Sequence, residues 1–170
     1  MNSNKNLVFL GMMGSGKSSI GNLVSKELDL PFIDIDYLIV KDAGMSISKI
    51  FEKKGEEYFI NLEERVTLKY LKTIRSVVSL GGGGFINTKI RQEILSNNFS
   101  FWLNWDESIL IKRIKDSKKR PLAFKSSEKE IRTIIKNRSK IYSNAQFKIN
   151  CDKLTKTKIV KRIIEIYELN

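Results

Sequence analysis

Residues 11 to 18 read Gly-Met-Met-Gly-Ser-Gly-Lys-Ser, directly after the apolar run Leu7-Val8-Phe9-Leu10. The spacing G-x-x-x-x-G-K-S lets the backbone curl so that successive N–H groups point inward at phosphates. Lys17 then reaches the β- and γ-phosphates, and Ser18 ligates magnesium. Ile20, Leu23, Val24 and Leu28 lie on one helical face of residues 15–28. The loop is therefore expected to open into the N-terminus of an amphipathic helix, whose positive dipole end suits an anion. Strand, loop and helix follow in the order a nucleotide-phosphate site requires, and Gly14, Ser15, Gly16, Lys17, Ser18 and Ser19 are the candidate ATP contacts.

Downstream, short apolar runs alternate with helix-period segments, the signature of a parallel sheet wrapped by helices. Strands are expected at Leu7–Leu10, Phe32–Ile35, Ser76–Leu80, Phe99–Leu103 and Gln146–Asn150, and a final helix near 155–169 with Ile159, Ile163 and Ile166 as its core face. Residues 37–72 read as a long, mostly helical insertion interrupted by Gly44 and Gly55. Residues 116–126 are polar and basic around Pro121 and read as a surface loop between two helices. Such a loop is either an ordinary solvated connection or a cover for bound nucleotide. A length of 170 residues fits one domain with a core of its own.

Lys and Arg number 31 against 19 Asp and Glu, a net charge of +12. That points to an anionic partner or to a lysine-rich surface. Nucleic-acid binding calls for the charge to be gathered into a stripe with stacking aromatics, whereas here the lysines are dispersed, so no nucleic-acid partner is expected. The chain has no histidine, which leaves proton transfer to a carboxylate or to water and removes most zinc sites. A lone cysteine, Cys151, excludes an internal disulfide and fits a reducing compartment. The opening residues carry no signal-peptide pattern and no apolar run is long enough to span a membrane, so a cytoplasmic location without membrane association is expected.

Two further clusters stand at strand ends. Asp34 and Asp36 close the second strand, and in extended chain their spacing puts both carboxylates on one face, bordering the crevice where open α/β sheets bind ligands. One would support magnesium through water while the other contacts an acceptor hydroxyl; the competing reading is a pair of helix-capping aspartates. Gly81-Gly82-Gly83-Gly84 follows the third strand, stripping away side chains where a ligand must approach the backbone. No aspartate closes this strand, and Asp34 is the natural substitute.

Together these features resemble the shikimate kinases. The resemblance runs over nearly the whole chain: the phosphate loop, Asp34-x-Asp36, Ser46-Ile47-x-x-Ile50-Phe51, Gly55-Glu56-x-x-Phe59-x-x-x-Glu63, the glycines from Gly81, Arg120-Pro121-Leu122, and Arg138 four residues before Tyr142. It implies an α/β, three-layer P-loop NTPase fold like that of the nucleoside-monophosphate kinases. The five-stranded parallel sheet is expected in the order 2-3-1-4-5. A single kinase domain over 1–170 would carry an acceptor-binding insertion near 35–62 and a lid near 116–126. It also implies ATP with Mg²⁺, shikimate as acceptor, and a monomer. By position, Lys17, Asp36 and Arg120 would be catalytic, and Ser18 and Asp34 would serve the metal. Arg113 would stack near adenine, Arg120 would neutralise the transferring phosphoryl group, and Gly81, Gly82, Gly83 and Arg138 would bind the acceptor with Asp36.

One position departs from the pattern. The family places an arginine after the phenylalanine of its Gly-Glu-x-x-Phe-Arg segment, as a clamp on the acceptor carboxylate; here it is Ile60. The missing charged hydrogen bond is a contact of ~1.5–3 kcal/mol. Arg65, five residues on, faces away. Three readings stay open: a shikimate kinase with rearranged carboxylate recognition, a related kinase for another small hydroxylated acceptor, or a nucleotide-binding protein without kinase activity.

Overall fold

The computed structural model describes residues 4–116 and 127–170. Five parallel strands form one sheet in the order β2-β3-β1-β4-β5, with β1 Leu7–Leu10, β2 Phe32–Asp34, β3 Val77–Ser79, β4 Phe99–Asn104 and β5 Phe147–Asn150. Helices α1 (Lys17–Glu27), α2 (Ile35–Ala43), α3 (Ile47–Leu71), α4 (Thr88–Asn97), α5 (Glu107–Lys115), α6 (Glu128–Tyr142) and α7 (Lys156–Glu168) cover its faces.

The two-residue period of β1 divides the core. Leu7 and Phe9 point to one face, where they pack with Ile20 and Val24 of α1 and with Ile159 and Ile163 of α7. Val8 and Leu10 point to the other, against Ile35 and Ile39 of α2, Leu62 and Val66 of α3, Ile90 and Ile94 of α4, and Ile131 and Ile135 of α6. Burial on both faces is why β1 is apolar at every position. Asn6 ties the strands at their entry: its side chain donates to Leu71 O and Asn98 Oδ1 and accepts from Ser76 N.

Most expected elements occur within one or two residues of where the sequence places them, and the strand order is the expected one. The extended reading of the Asp34–Asp36 pair needs correcting. β2 ends at Asp34, whose side chain accepts from Tyr37 N and starts α2 at Ile35, so Asp36 sits in the first turn of a helix. The cap is available immediately after the strand, and it overrides continuation of the extended chain. The helical insertion is broken where expected: α2 ends at Gly44 in a left-handed conformation, and α3 is non-helical at Gly55 (φ 85°, ψ 172°). The expected lid lies almost wholly outside the described residues, and Arg120 with it.

Candidate active site

Because all strands run parallel, the segments leaving β1, β2 and β3 emerge on the same edge of the sheet. The segment after β1 is the glycine-rich loop. Gly16 adopts a left-handed conformation (φ 90°) and caps α1, which has no side-chain cap. Every other described α-helix starts under a capping side chain: Asp34, Ser46, Asn87, Asp106, Ser127 or Thr155. The α1 N-terminus is thus the one left open to an anion. Lys17 folds across the loop, its ammonium donating to Gly11 O at 2.9 Å and Met12 O at 3.0 Å. Ser15 Oγ is buried among the loop atoms with no hydrogen-bond partner among the described residues, a donor that fits a phosphate oxygen. Ser18 and Ser19 lie exposed on the first turn of α1.

Ser18 connects this loop to the ends of β2 and β3. Its hydroxyl donates to Asp34 Oδ2 at 2.6 Å and lies 3.3 Å from Ser79 Oγ. Asp34 and Ser79 are direct neighbours across β2 and β3. Asp34 therefore caps α2, as one of its two readings held, through one oxygen and accepts from Ser18 with the other. Among the described residues no cluster of three acidic, histidine or cysteine groups could hold a metal. An all-oxygen set with a single carboxylate fits magnesium, which keeps its waters and shares substrate phosphates rather than occupying a protein cage.

Trp105, just after β4, donates its Nε1 proton to Ser15 O at 2.8 Å. The Arg113 guanidinium stacks 3.8 Å from the centre of that indole and donates to Gly14 O at 3.3 Å. Arg113 thus stands at the outer wall of the phosphate loop, exposed.

The glycine run after β3 adjoins the phosphate loop and gathers a second cluster of side chains. A Cβ on Gly81 would come within 2.5 Å of Glu63 Oε1 and 2.7 Å of Asp36 Oδ1, so two carboxylates from different helices close over one glycine. A Cβ on Gly82 would lie 3.4 Å from Met13 N in the phosphate loop and 3.5 Å from Arg138 Nη1. The Gly82 carbonyl accepts from Arg138 at 3.1 Å and from the buried Tyr142 hydroxyl at 2.5 Å, which pins the peptide. Gly83 also borders Glu63, and Gly84 opens a short 3-10 turn. The run is a fixed wall rather than a loose turn.

Glu63 dominates the electrostatics here. It is 4% exposed, and Oε1 has no hydrogen-bond partner among the described residues. Burial first, and then the Asp36 carboxylate, push its pKa up to about 7 against the opposing pull of Arg138 and Lys17. Burial likewise pushes the Tyr142 phenol up to about 12.

Of the residues the sequence nominated, Asp36, Gly81, Gly82, Gly83 and Arg138 meet at this wall, while Gly14, Ser15, Gly16, Lys17, Ser18, Ser19, Asp34 and Arg113 gather at the adjoining loop. Glu63, Tyr142, Ser79 and Trp105 were given no role. Glu63 did carry a signal: with Thr67 it puts polar groups on the stripe of α3 otherwise filled by Leu62, Val66 and Leu71. Ile60 is 43% exposed, and Arg65 pairs with Asp42 at 2.7 Å, away from the glycine wall.

The family model described as Shikimate kinase matches residues 13–168. A shikimate kinase from Thermodesulfovibrio yellowstonii is 34% identical over 165 residues, 96% of this chain and 95% of that protein. Among solved structures, shikimate kinase from Aquifex aeolicus matches with a TM-score of 0.86 at 36% identity, over 96% of each chain. Shikimate kinase from Acinetobacter baumannii in complex with shikimate matches with a TM-score of 0.91 at 25% identity, over 98% of this chain and 94% of that one.

Proposed function

The chain belongs to the shikimate kinase family, and from that premise we propose that it transfers the γ-phosphoryl group of ATP to the 3-hydroxyl of shikimate. The observation that carries this reading is Gly82, whose carbonyl accepts from Arg138 and where a Cβ, were one added, would lie 3.4 Å from Met13 N of the phosphate loop. A small anionic acceptor held by Arg138 thereby lies against the nucleotide phosphates, where in-line transfer needs it.

The open N-terminus of α1, the Ser15 hydroxyl and the Lys17 ammonium cradle the phosphates. Arg113 flanks the nucleotide from its perch on Trp105. Ser18 and Asp34 would hold Mg²⁺, which would supply neutralisation of the phosphate charge. Arg138 presents a planar fork to the acceptor carboxylate. Asp36, in the first turn of α2, orients the attacking hydroxyl and takes its proton. Arg120, outside the described residues, completes the charge neutralisation on the family pattern, as part of a lid over 116–126. Transfer with little bond formation asks mainly for positioning and electrostatics, and these residue types supply both. One chain furnishes every group, so a monomer suffices.

The test is ADP release with ATP and magnesium, titrating shikimate on the natural chain and on Ile60→Arg. Saturable turnover, with a lower KM for the arginine variant, supports shikimate as acceptor and Ile60 as the site of a missing clamp. Tight ATP binding without shikimate-dependent turnover in either protein points instead to another small hydroxylated acceptor or to a nucleotide-binding protein without kinase activity.

A further inference from the structure

Glu63 is a buried acid whose environment is inverted relative to an ordinary carboxylate. It projects from α3 onto the glycine wall, 4% exposed, with Oε1 unpartnered and the Asp36 carboxylate converging on the same glycine. We propose that Glu63 serves the acceptor pocket as a neutral carboxylic acid, donating a hydrogen bond to an anionic oxygen of the bound acceptor, so that acceptor binding at neutral or alkaline pH takes up one proton from solvent. The proposal rests on the acceptor reading above and adds a binding residue to it.

The charges around Glu63 come from every side of the pocket. Asp36 of α2 disfavours the anion, while Arg138 of α6 and Lys17 of α1 favour it, and the Tyr142 phenol of α6 feels Glu63 in turn. The cations of neighbouring α4 are engaged elsewhere: Lys89 by Glu64 at 2.8 Å, and Arg91 by the carbonyls of Phe85 and Ile86. On α3 itself, Ile60 lies one turn before Glu63 and brings no charge. The free pocket is already balanced near neutrality, with the carboxyl pushed up to about 7.

Binding tips this balance one way. Nucleotide phosphates occupy Lys17, and an acceptor carboxylate occupies Arg138, so both cations that favoured the Glu63 anion acquire closer negative partners. The acceptor also adds an anion beside Asp36. A carboxyl in that position stays neutral and, being neutral, turns from a repelling acceptor into a hydrogen-bond donor. Oε1 is sealed against Gly81 and Gly84, so the bond falls to Oε2, which borders Gly83.

The decisive experiment is calorimetric titration of shikimate into the full chain with ADP and magnesium, at pH 7 to 9, in two buffers of different ionisation enthalpy. With ADP already raising the Glu63 midpoint above 7, the natural chain is expected to take up less than half a proton per shikimate bound at pH 7, rising toward one at pH 9, and its shikimate affinity to fall by up to tenfold per pH unit at the alkaline end. Glu63→Gln, which keeps a donor but cannot ionise, is expected to show no uptake and no such slope. An uncoupled wild-type titration, or a Gln variant with the same proton uptake, overturns the proposal. A shikimate titration without heat at any pH sinks the acceptor reading instead, and Glu63 is then judged by ¹³C NMR of its carboxyl in the folded chain. A midpoint near 7 that climbs on adding ADP and magnesium sustains the neutral acid, and a midpoint below 5 overturns it.

Discussion

Ser18 Oγ donates to Asp34 Oδ2 at 2.6 Å, while the other oxygen of Asp34 accepts from Tyr37 N at 3.2 Å. One side chain therefore serves the phosphate loop and the start of α2. The two roles separate by substitution. Asp34→Asn keeps a capping oxygen, so it is expected to hold stability within about 0.5 kcal/mol while raising the magnesium concentration needed for half-maximal turnover at least tenfold. Asp34→Ala is expected to do the same to magnesium and also to lose about 1 kcal/mol with the cap. Denaturant unfolding beside a magnesium titration checks both; an alanine variant as stable as the asparagine variant removes the cap from the account.

Gly81→Ala tests the crowding of the wall. Its Cβ would stand 2.5 Å from Glu63 Oε1 and 2.7 Å from Asp36 Oδ1, closer than unbonded atoms sit. Relief means moving two carboxylates that are themselves proposed to serve the acceptor. Destabilisation of about 1–3 kcal/mol is expected, with loss of acceptor turnover but with ATP affinity within threefold of the natural chain. A calorimetric ATP titration of the folded variant reads the last point, and equal losses for both ligands count against two adjoining pockets.

The parts of the fold legible in the chain were those written in local pattern. Leu7–Leu10 is apolar at every position because both its faces are covered, and Gly44 and Gly55 mark breaks because each holds a positive φ. The strand order was different in kind: nothing in the periodicity of β1 says that β3 and β4 flank it, and the expectation came from family likeness. Asp36 was misplaced because a strand pattern and a capping pattern overlap at Asp34, and hydrogen bonding to Tyr37 N decides between them. Tyr142 was silent, and Glu63 showed only as a polar break in an apolar stripe, because their placement depends on α3 and α6 meeting the same glycine wall, an arrangement made by long-range packing. Arg113 was nominated by resemblance, but its platform, Trp105, arrives from the end of a different strand.

Tyr142→Phe probes how far that wall depends on its pinning. The hydroxyl is buried and donates to Gly82 O, which keeps its bond from Arg138 when the phenol is removed. With the carbonyl still satisfied, the stability cost is expected to be about 1 kcal/mol. On the proposed function the freed peptide would border the acceptor, so shikimate KM is expected to rise several-fold with ATP KM unchanged. Steady-state kinetics varying each substrate separates the two, and an increase confined to ATP contradicts the placement of Gly82.

Glu63 also makes stability depend on pH with a sign opposite to that of an ordinary paired carboxylate. Burial and Asp36 raise its folded-state pKa from 4.5 to about 7, so between those values the folded chain holds a proton the unfolded chain has released. The unfolding free energy from this group is therefore complete below about 4.5 and declines as pH rises toward 7, by at most ~1.4 kcal/mol per unit. Glu64, Asp106, Glu128 and Glu130 shift the other way through hydrogen bonds at the surface, and they are common to any Glu63 variant. Comparing the natural chain with Glu63→Gln cancels them. Relative to the glutamine variant, the natural chain is expected to lose about 1–3 kcal/mol between pH 4.5 and pH 8, most of it before pH 7. Urea unfolding of both proteins across that range measures the difference directly. A gap that stays constant, or that favours the natural chain as pH rises, means that Glu63 is ionised in the folded state and that Arg138 and Lys17 outweigh its burial.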